Sequence, residues 1–240
     1  VHAALAATRE RSYPRAPGPA ARPRYVVVPP ADVARIKATC AAHGATVNDA
    51  LVAALARAGA GRSRGGPLLV VYTMDLRRYR GAPRLSAANT SSLLIAVVPR
   101  RATRDLGSAA RAVARITRGH QRHLAGPAFV LGAYALGLGA PHALARRMTR
   151  WLHPVLVDMP LRRGLLVTTV GRIDAALAPF GDDLEDVRMV GPTIAGVPAP
   201  AVVAYGFRGA LHLQILSAPG LAEGASDELA RELVEGLELA

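Results

Sequence analysis

The sequence predicts an α/β fold, a mixed β-sheet covered by helices, and three observations lead there. Strand-like and helix-like runs alternate early in the chain, where "RYVVVP", "PPADVARIKATCAAHG" and "PLLVVYTMDLRRY" succeed one another. Two late runs, "AVVAYGF" and "ALHLQIL", are separated only by "RG" and read as an antiparallel hairpin. The C-terminal stretch from Ser226 is acidic and amphipathic, with Leu229, Leu233 and Leu237 at helical spacing on one face. A purely parallel, doubly wound sheet does not accommodate that hairpin, so the sheet is expected to be mixed.

Each element has a local reason. Residues 11–24 carry Pro14, Pro17, Pro19 and Pro23 among arginines, a composition that resists both helix and sheet; residues 1–23 are read as an N-terminal segment and linker, and 24–240 as the folded unit. "RYVVVP" reads as a buried strand. The next run opens a helix just after two prolines and closes it at Gly44, with Cys40 in phase with Val33 and Ile36 as a core thiol. "SSLLIAVVP" is a further β-branched strand, preceded by the turn-prone "SAANT".

Between Leu106 and Leu124 the pattern predicts a helix with Ala109, Val113, Ile116, His120 and Leu124 on one face and Arg111, Arg115, Arg118 and Arg122 on the other. From Ala125 to Ala145 the chain lacks Asp, Glu, Lys and Arg and is long enough to cross a bilayer. Its two prolines and several glycines favour a buried or interfacial helix hairpin instead. "ALARRMTRWLHP" completes a basic helix, and "GLLVTTVGRID" is a strand leaving through a glycine. In the late hairpin, His212 and Gln214 alternate with Leu211, Leu213 and Ile215 and mark the polar face of a strand.

With 240 residues, one large domain and two joined lobes are both open. Aromatic residues make up only 4%, which leaves little material for a base-stacking surface and argues against a nucleic-acid partner. The formal charge is +13, and Lys37 is the only lysine among 30 basic residues. Such an excess favours anionic partners, among them an acidic carrier protein or an anionic membrane surface. Cys40 stands alone, so neither an intrachain disulfide nor a cysteine cluster is available, and a reducing cytoplasm is the simplest compartment. The opening residues lack the apolar core of a signal peptide, and the chain begins on Val1 like a segment of something longer.

Few residues look chemical. Thr46 and Asp49 in "ATVNDALVAALARA" have the spacing of a capping box, in which the threonine hydroxyl and the carboxylate each satisfy an amide at the start of a helix; Asn48 lies between them. His120 and His123 share a helix but have no third metal ligand in view, so no metal site is expected.

Taken in order and at their spacings, "TVNDALVAALA", "VVYTMDLRRY", "NTSSLLIAVVP" and "LLVTTVGRID" resemble the C-terminal lobe of the chloramphenicol-acetyltransferase-like superfamily. That superfamily includes wax ester synthase/diacylglycerol acyltransferases, alcohol acetyltransferases, polyketide-associated acyltransferases and peptide-synthetase condensation domains. The likeness runs from about Arg24 to Ala240. It implies one of two similar lobes enclosing a tunnel that receives an acyl thioester, on coenzyme A or a carrier protein, from one side and an alcohol or amine from the other.

In the family a His-His-x-x-x-Asp motif in the N-terminal lobe supplies the general base. Here no two histidines are adjacent and none precedes an aspartate by four; "HPVLVD" keeps the outer spacing of His153 and Asp158 but has Pro154 where the base would be. The base is therefore expected in an N-terminal lobe, on the same or a separate chain, and no catalytic residue is expected here.

The resemblance casts Thr46, Asn48 and Asp49, and the locally paired Asp75 and Arg77, as structural motifs. It makes Asn89 with Ser91 or Ser92 candidates for steadying the thioester carbonyl, although a turn before a strand explains them equally well. Thr168 and Thr169 stand where the family has Ser/Thr-Asn, keeping a hydroxyl and losing an amide. "PFGDDLEDVRM" replaces the condensation-domain Asp-Phe-Gly-Trp-Gly, which disfavours a strict condensation domain. The rival from another class is a non-catalytic module that binds a carrier protein or lipid.

Overall fold

The structure, a computed structural model, describes residues 23–62, 65–79, 91–139, 143–144, 147, 164–181, 183–189, 201–216 and 224–239. The expected Pro/Arg-rich segment up to residue 22, the turn "SAANT", Asn89, most of the basic helix "ALARRMTRWLHP" and the pair His153 and Asp158 lie outside the described residues.

Among the described residues, strands β1 (Arg24–Val28), β2 (Leu68–Asp75), β3 (Ser91–Val98), β4 (Leu165–Arg172), β5 (Ala201–Phe207) and β6 (Ala210–Leu216) form one sheet in the order β1-β6-β5-β4-β2-β3. β2, β4 and β5 run parallel at its centre, while β3 and β6 are antiparallel to their neighbours and β1 pairs antiparallel with β6. The sheet is therefore mixed, and the late hairpin closes through Arg208 (φ 47°) and Gly209 (φ 80°), two successive left-handed residues that match the twist of the flanking strands.

One face of the sheet carries the helices α1 (Pro30–Ala42), α2 (Val47–Arg62), α3 (Leu106–Arg122), α4 (Ala125–Gly139) and α5 (Ala225–Gly236). Alternate residues of β2 (Leu68, Val70, Tyr72 and Met74) point into this layer. α2 is apolar all round because it is covered on every side: Ala50 to Ala56 are all essentially inaccessible, packed between the sheet, α3 and α5. Its run of alanines lets α5 approach so closely that a Cβ on Gly236 would stand 2.8 Å from the carbonyl oxygen of Ala54. Leu229, Leu233 and Leu237 are buried against it, and Cys40 is a core thiol. The opposite face carries a small cluster of Val71 and Leu166 with Ile95 and Ala201. Strands buried on both faces read as continuous apolar runs, and β2 does.

Four local expectations need correction. "RYVVVP" is not a buried strand: β1 is an edge paired only with β6, and Val27 is 56% exposed while Val28 alone is fully covered. α3 ends at Arg122, so Leu124 leaves the apolar face, adopts φ 49° and is half exposed. Gln214 lies on no solvated face but is completely buried, donating to the Tyr25 hydroxyl at 3.0 Å. Its side of the hairpin is covered by the segment 183–189, held where the Tyr205 hydroxyl donates to the Val187 carbonyl at 2.5 Å. Lastly, α5 is capped by Gly224 at φ 91°, and Ser226 is buried inside its first turn. No helix among the described residues is long and apolar enough to cross a membrane.

Candidate functional site

β2 and β4 pair in parallel only from Val70 with Leu165 to Tyr72 with Val167, and then separate. Where the backbone ladder stops, side chains take over: the Thr73 and Thr168 hydroxyls lie 3.0 Å apart, and the Thr169 amide donates to Thr73 Oγ1 at 3.3 Å. β4 also breaks register with β5 between Thr169 and Gly171, with Gly171 at φ 88°. This irregularity turns Val170 out to 43% exposure. The splayed carboxyl ends of two parallel strands leave a cavity of about 670 Å³, roofed by the start of α2 and the last turns of α3. A crevice beyond the carboxyl ends of parallel strands is where open α/β sheets admit ligands.

The start of α2 is fixed by a closed set of bonds. Asp49 Oδ2 accepts from the Thr46 amide and the Thr46 hydroxyl, both at 2.8 Å, and the Asp49 amide donates to Thr46 Oγ1 at 3.2 Å. This is the reciprocal capping arrangement read from the spacing. The other oxygen, Oδ1, accepts from the Thr117 hydroxyl of α3 at 2.8 Å, which joins the two helices over the cavity. Asn48 is exposed and lines the cavity beside them.

At the far rim Arg77 donates from its amide to Asp75 Oδ1 at 2.9 Å, and its guanidinium reaches both carboxylate oxygens, so the expected local pair is present. Ser91 sits opposite Asp75 in the ladder and also lines the cavity. Ser92, one residue on, points to the other face of the sheet: it is 3% exposed, its hydroxyl has no partner among the described residues, and it packs beneath Gly126 of α4. Thr168 and Thr169 line the cavity floor.

Tyr72, Thr73 and Gln121 also line the cavity and were not singled out by sequence, and Arg118, read there only as one of an arginine face, lines it too. The Tyr72 hydroxyl lies 2.7 Å from His120 Nδ1, and the two rings stack with an interplanar angle of 12°. Burial, then the Asp49 carboxylate and Tyr79, push the Tyr72 phenol well above its ordinary range, and burial lowers the His120 imidazole. Both are held neutral, with His120 behind Tyr72 and outside the lining.

Chemically the cavity is rich in hydroxyl donors and poor in bases. Among the described residues no histidine, cysteine or lysine lines it, and its two carboxylates are engaged by Thr46 and Thr117 and by Arg77. It can hold and orient a carbonyl; proton removal from an acceptor calls for a group from elsewhere.

The mixed sheet and its helical layer form a single lobe, and its fold is the one the sequence resemblance implies, one chloramphenicol-acetyltransferase-like lobe. The chain is similar in fold to trichothecene 15-O-acetyltransferase from Fusarium sporotrichioides (TM-score 0.63, 16% identity), covering 98% of this chain and 50% of that one. It is similar to the EpoB cyclization-docking bidomain from Sorangium cellulosum (TM-score 0.61, 11% identity, 100% and 47%) and to the PapA2 acyl transferase (TM-score 0.56, 15% identity, 96% and 46%). The chain thus spans about half the length of these proteins. No family model matches the sequence, and no curated protein matches it.

Proposed function

We propose that this chain is one lobe of a thioester-dependent O- or N-acyltransferase and forms one wall of its tunnel for acyl donor and acceptor. The observation that carries this reading is a cavity lined with hydroxyls but with no base among the described residues, at the carboxyl ends of the parallel strands, in a fold that spans half of an acetyltransferase. In the reaction the acceptor oxygen or nitrogen attacks the thioester carbon, a tetrahedral oxyanion forms, and the carbon–sulfur bond breaks to release the thiol. Thr168, Thr169 and Ser91 donate hydrogen bonds toward that oxygen, with Asn89 as a fourth candidate, and Thr73 sets the rotamer of Thr168. The acceptor proton goes to a histidine of a partner lobe, on the same or another chain. The acyl group arrives on coenzyme A or on a carrier protein, whose acidic surface suits the chain's charge of +13.

The test is acyl transfer by the full gene product, followed as thiol release from acyl-coenzyme A and from an acyl-carrier protein in the presence of alcohol and amine acceptors. Turnover is expected, and Thr168→Val is expected to lower kcat by about tenfold or more with KM little changed. A folded protein that releases no thiol from either donor would leave this a binding module.

A further inference from the structure

The charges around the cavity are not equivalent. Arg77 is neutralised by Asp75 through several contacts, and Asp49 is 6% exposed with its oxygens taken by Thr46 and Thr117. Arg118 is different: its Nε donates to the Ala114 carbonyl of its own helix at 3.0 Å, which pins the stem. Its Nη1 and Nη2 then lie over Gly44 at the cavity edge, 3.9 and 4.0 Å from where a Cβ would be, with no carboxylate partner among the described residues. The other arginines of that helix do not do this: Arg111 is bonded to His43 Nδ1 at 2.7 Å, and Arg115 and Arg122 do not line the cavity. A guanidinium with its stem fixed and both terminal nitrogens unengaged by the described residues presents the fork geometry that carboxylates and phosphates occupy in two-point fashion.

We infer that Arg118 reads an anionic group, a carboxylate or a phosphate monoester, carried by the acceptor substrate, so that the acceptor is a hydroxy or amino compound with an acid at its other end. This rests on the acyltransferase reading for the word acceptor; the anion site itself does not need it. The neighbouring Asn48 carboxamide, exposed on the same lining, can donate to the same anion, and the apolar Val52 and Val167 suit the stem between the two ends. Of the two carboxylates among the described lining residues, Asp75 is paired with Arg77, and Asp49 opposes such a ligand less for its hydrogen bonds from Thr46 and Thr117.

The test titrates the full gene product by calorimetry with a medium-chain ω-hydroxyalkanoate, its methyl ester and the matching ω-hydroxyalkyl phosphate, and then compares them as acceptors. One of the two anions is expected to bind about tenfold or more tighter than the ester, with that preference lost in Arg118→Ala, partly kept in Arg118→Lys and unchanged in Arg115→Ala. The stronger anion identifies the headgroup. Equal binding of anion and ester, no binding of any of the three, a preference that survives Arg118→Ala, or an Arg118→Ala effect confined to KM for the thioester overturns the inference. Arg118-dependent anion binding without thiol release would sink the acyltransferase reading and keep the anion site; thiol release that ignores acceptor charge and Arg118 would do the reverse.

Discussion

The Thr117 hydroxyl donates to Asp49 Oδ1 across 2.8 Å, so one buried carboxylate both caps α2 and fastens it to α3. Asp49→Ala removes the cap and leaves the Thr117 hydroxyl only the Ala114 carbonyl, 3.3 Å away, and is expected to cost about 2–4 kcal/mol, whereas Thr117→Val leaves Oδ1 short of a donor and costs about 1–2 kcal/mol. Because the groups share a bond, the double variant should be less destabilised than the sum of the singles by about 1 kcal/mol. Urea unfolding of the four proteins measures this; strictly additive losses would show that the bond contributes nothing of its own.

Cys40 gives a chemical probe of the same core. Burial, and secondarily the Asp49 carboxylate, push its thiol up to about 11, so the native protein carries almost no thiolate at mildly alkaline pH. Its reaction with a disulfide reagent at about pH 8 is expected to be at least a hundredfold slower in the native protein than in denaturant. A native thiol that reacts as fast as the denatured one would place Cys40 outside the core.

Two glycines separate close packing from helix propensity. A Cβ on Gly236 meets backbone, 2.8 Å from Ala54 O and 3.2 Å from Ala54 Cα, which cannot swing aside like a side chain. Gly236→Ala must push α5 off α2 and is expected to destabilise by about 1–3 kcal/mol. Gly119, inside α3, has nothing within 4 Å of its added carbon, so Gly119→Ala should stabilise by up to about 1 kcal/mol. Thermal melts of both variants check the opposite signs.

What the sequence reveals depends on how far a bond reaches along the chain. The Thr46 and Asp49 box is legible because its partners are three residues apart, as is the Asp75 and Arg77 pair at two. Thr117, 68 residues from Asp49, carries no local mark of that role. Arg118 sits at the spacing of a solvated stripe, but its stem is bent back to Ala114 and its terminus overhangs a neighbouring loop, which periodicity does not encode. Alternation separated His212 from Leu213, yet it says only that the two faces differ, and Gln214 proved to be on a covered one; Ser91 and Ser92 stayed alternatives in the sequence and are told apart only by the ladder, which puts Ser91 at the cavity and buries Ser92. The edge position of β1 is likewise a matter of sheet order, not of its valines.

The contact of Tyr72 with His120 makes stability depend on pH in a definite direction. Burial lowers the His120 imidazole below its ordinary 6.5, and His212 is lowered for the same first reason, with Asp186 opposing. For a base whose folded value lies below its unfolded one, the unfolded chain binds more protons between the two values, so stability rises with pH across that window. The contribution is complete above about pH 7 and is lost as pH falls from about 6.5 through the folded values. Asp105 and Asp174, lowered first by amide hydrogen bonds from Ser108 and Arg208, act in the same direction but only at more acidic pH, as their lowered folded values are reached. The Tyr72 hydroxyl and the neutral imidazole share one hydrogen bond at Nδ1; protonating the ring places a charge in a half-buried site beside a phenol that burial keeps un-ionised. Urea midpoints are therefore expected to fall between about pH 7 and about pH 5, and His120→Gln, which stays polar and cannot titrate, should flatten part of that fall while His212→Gln flattens a further part. A wild-type midpoint constant over that range, or a slope unchanged in His120→Gln, would mean that His120 is as solvated in the folded protein as in the unfolded chain.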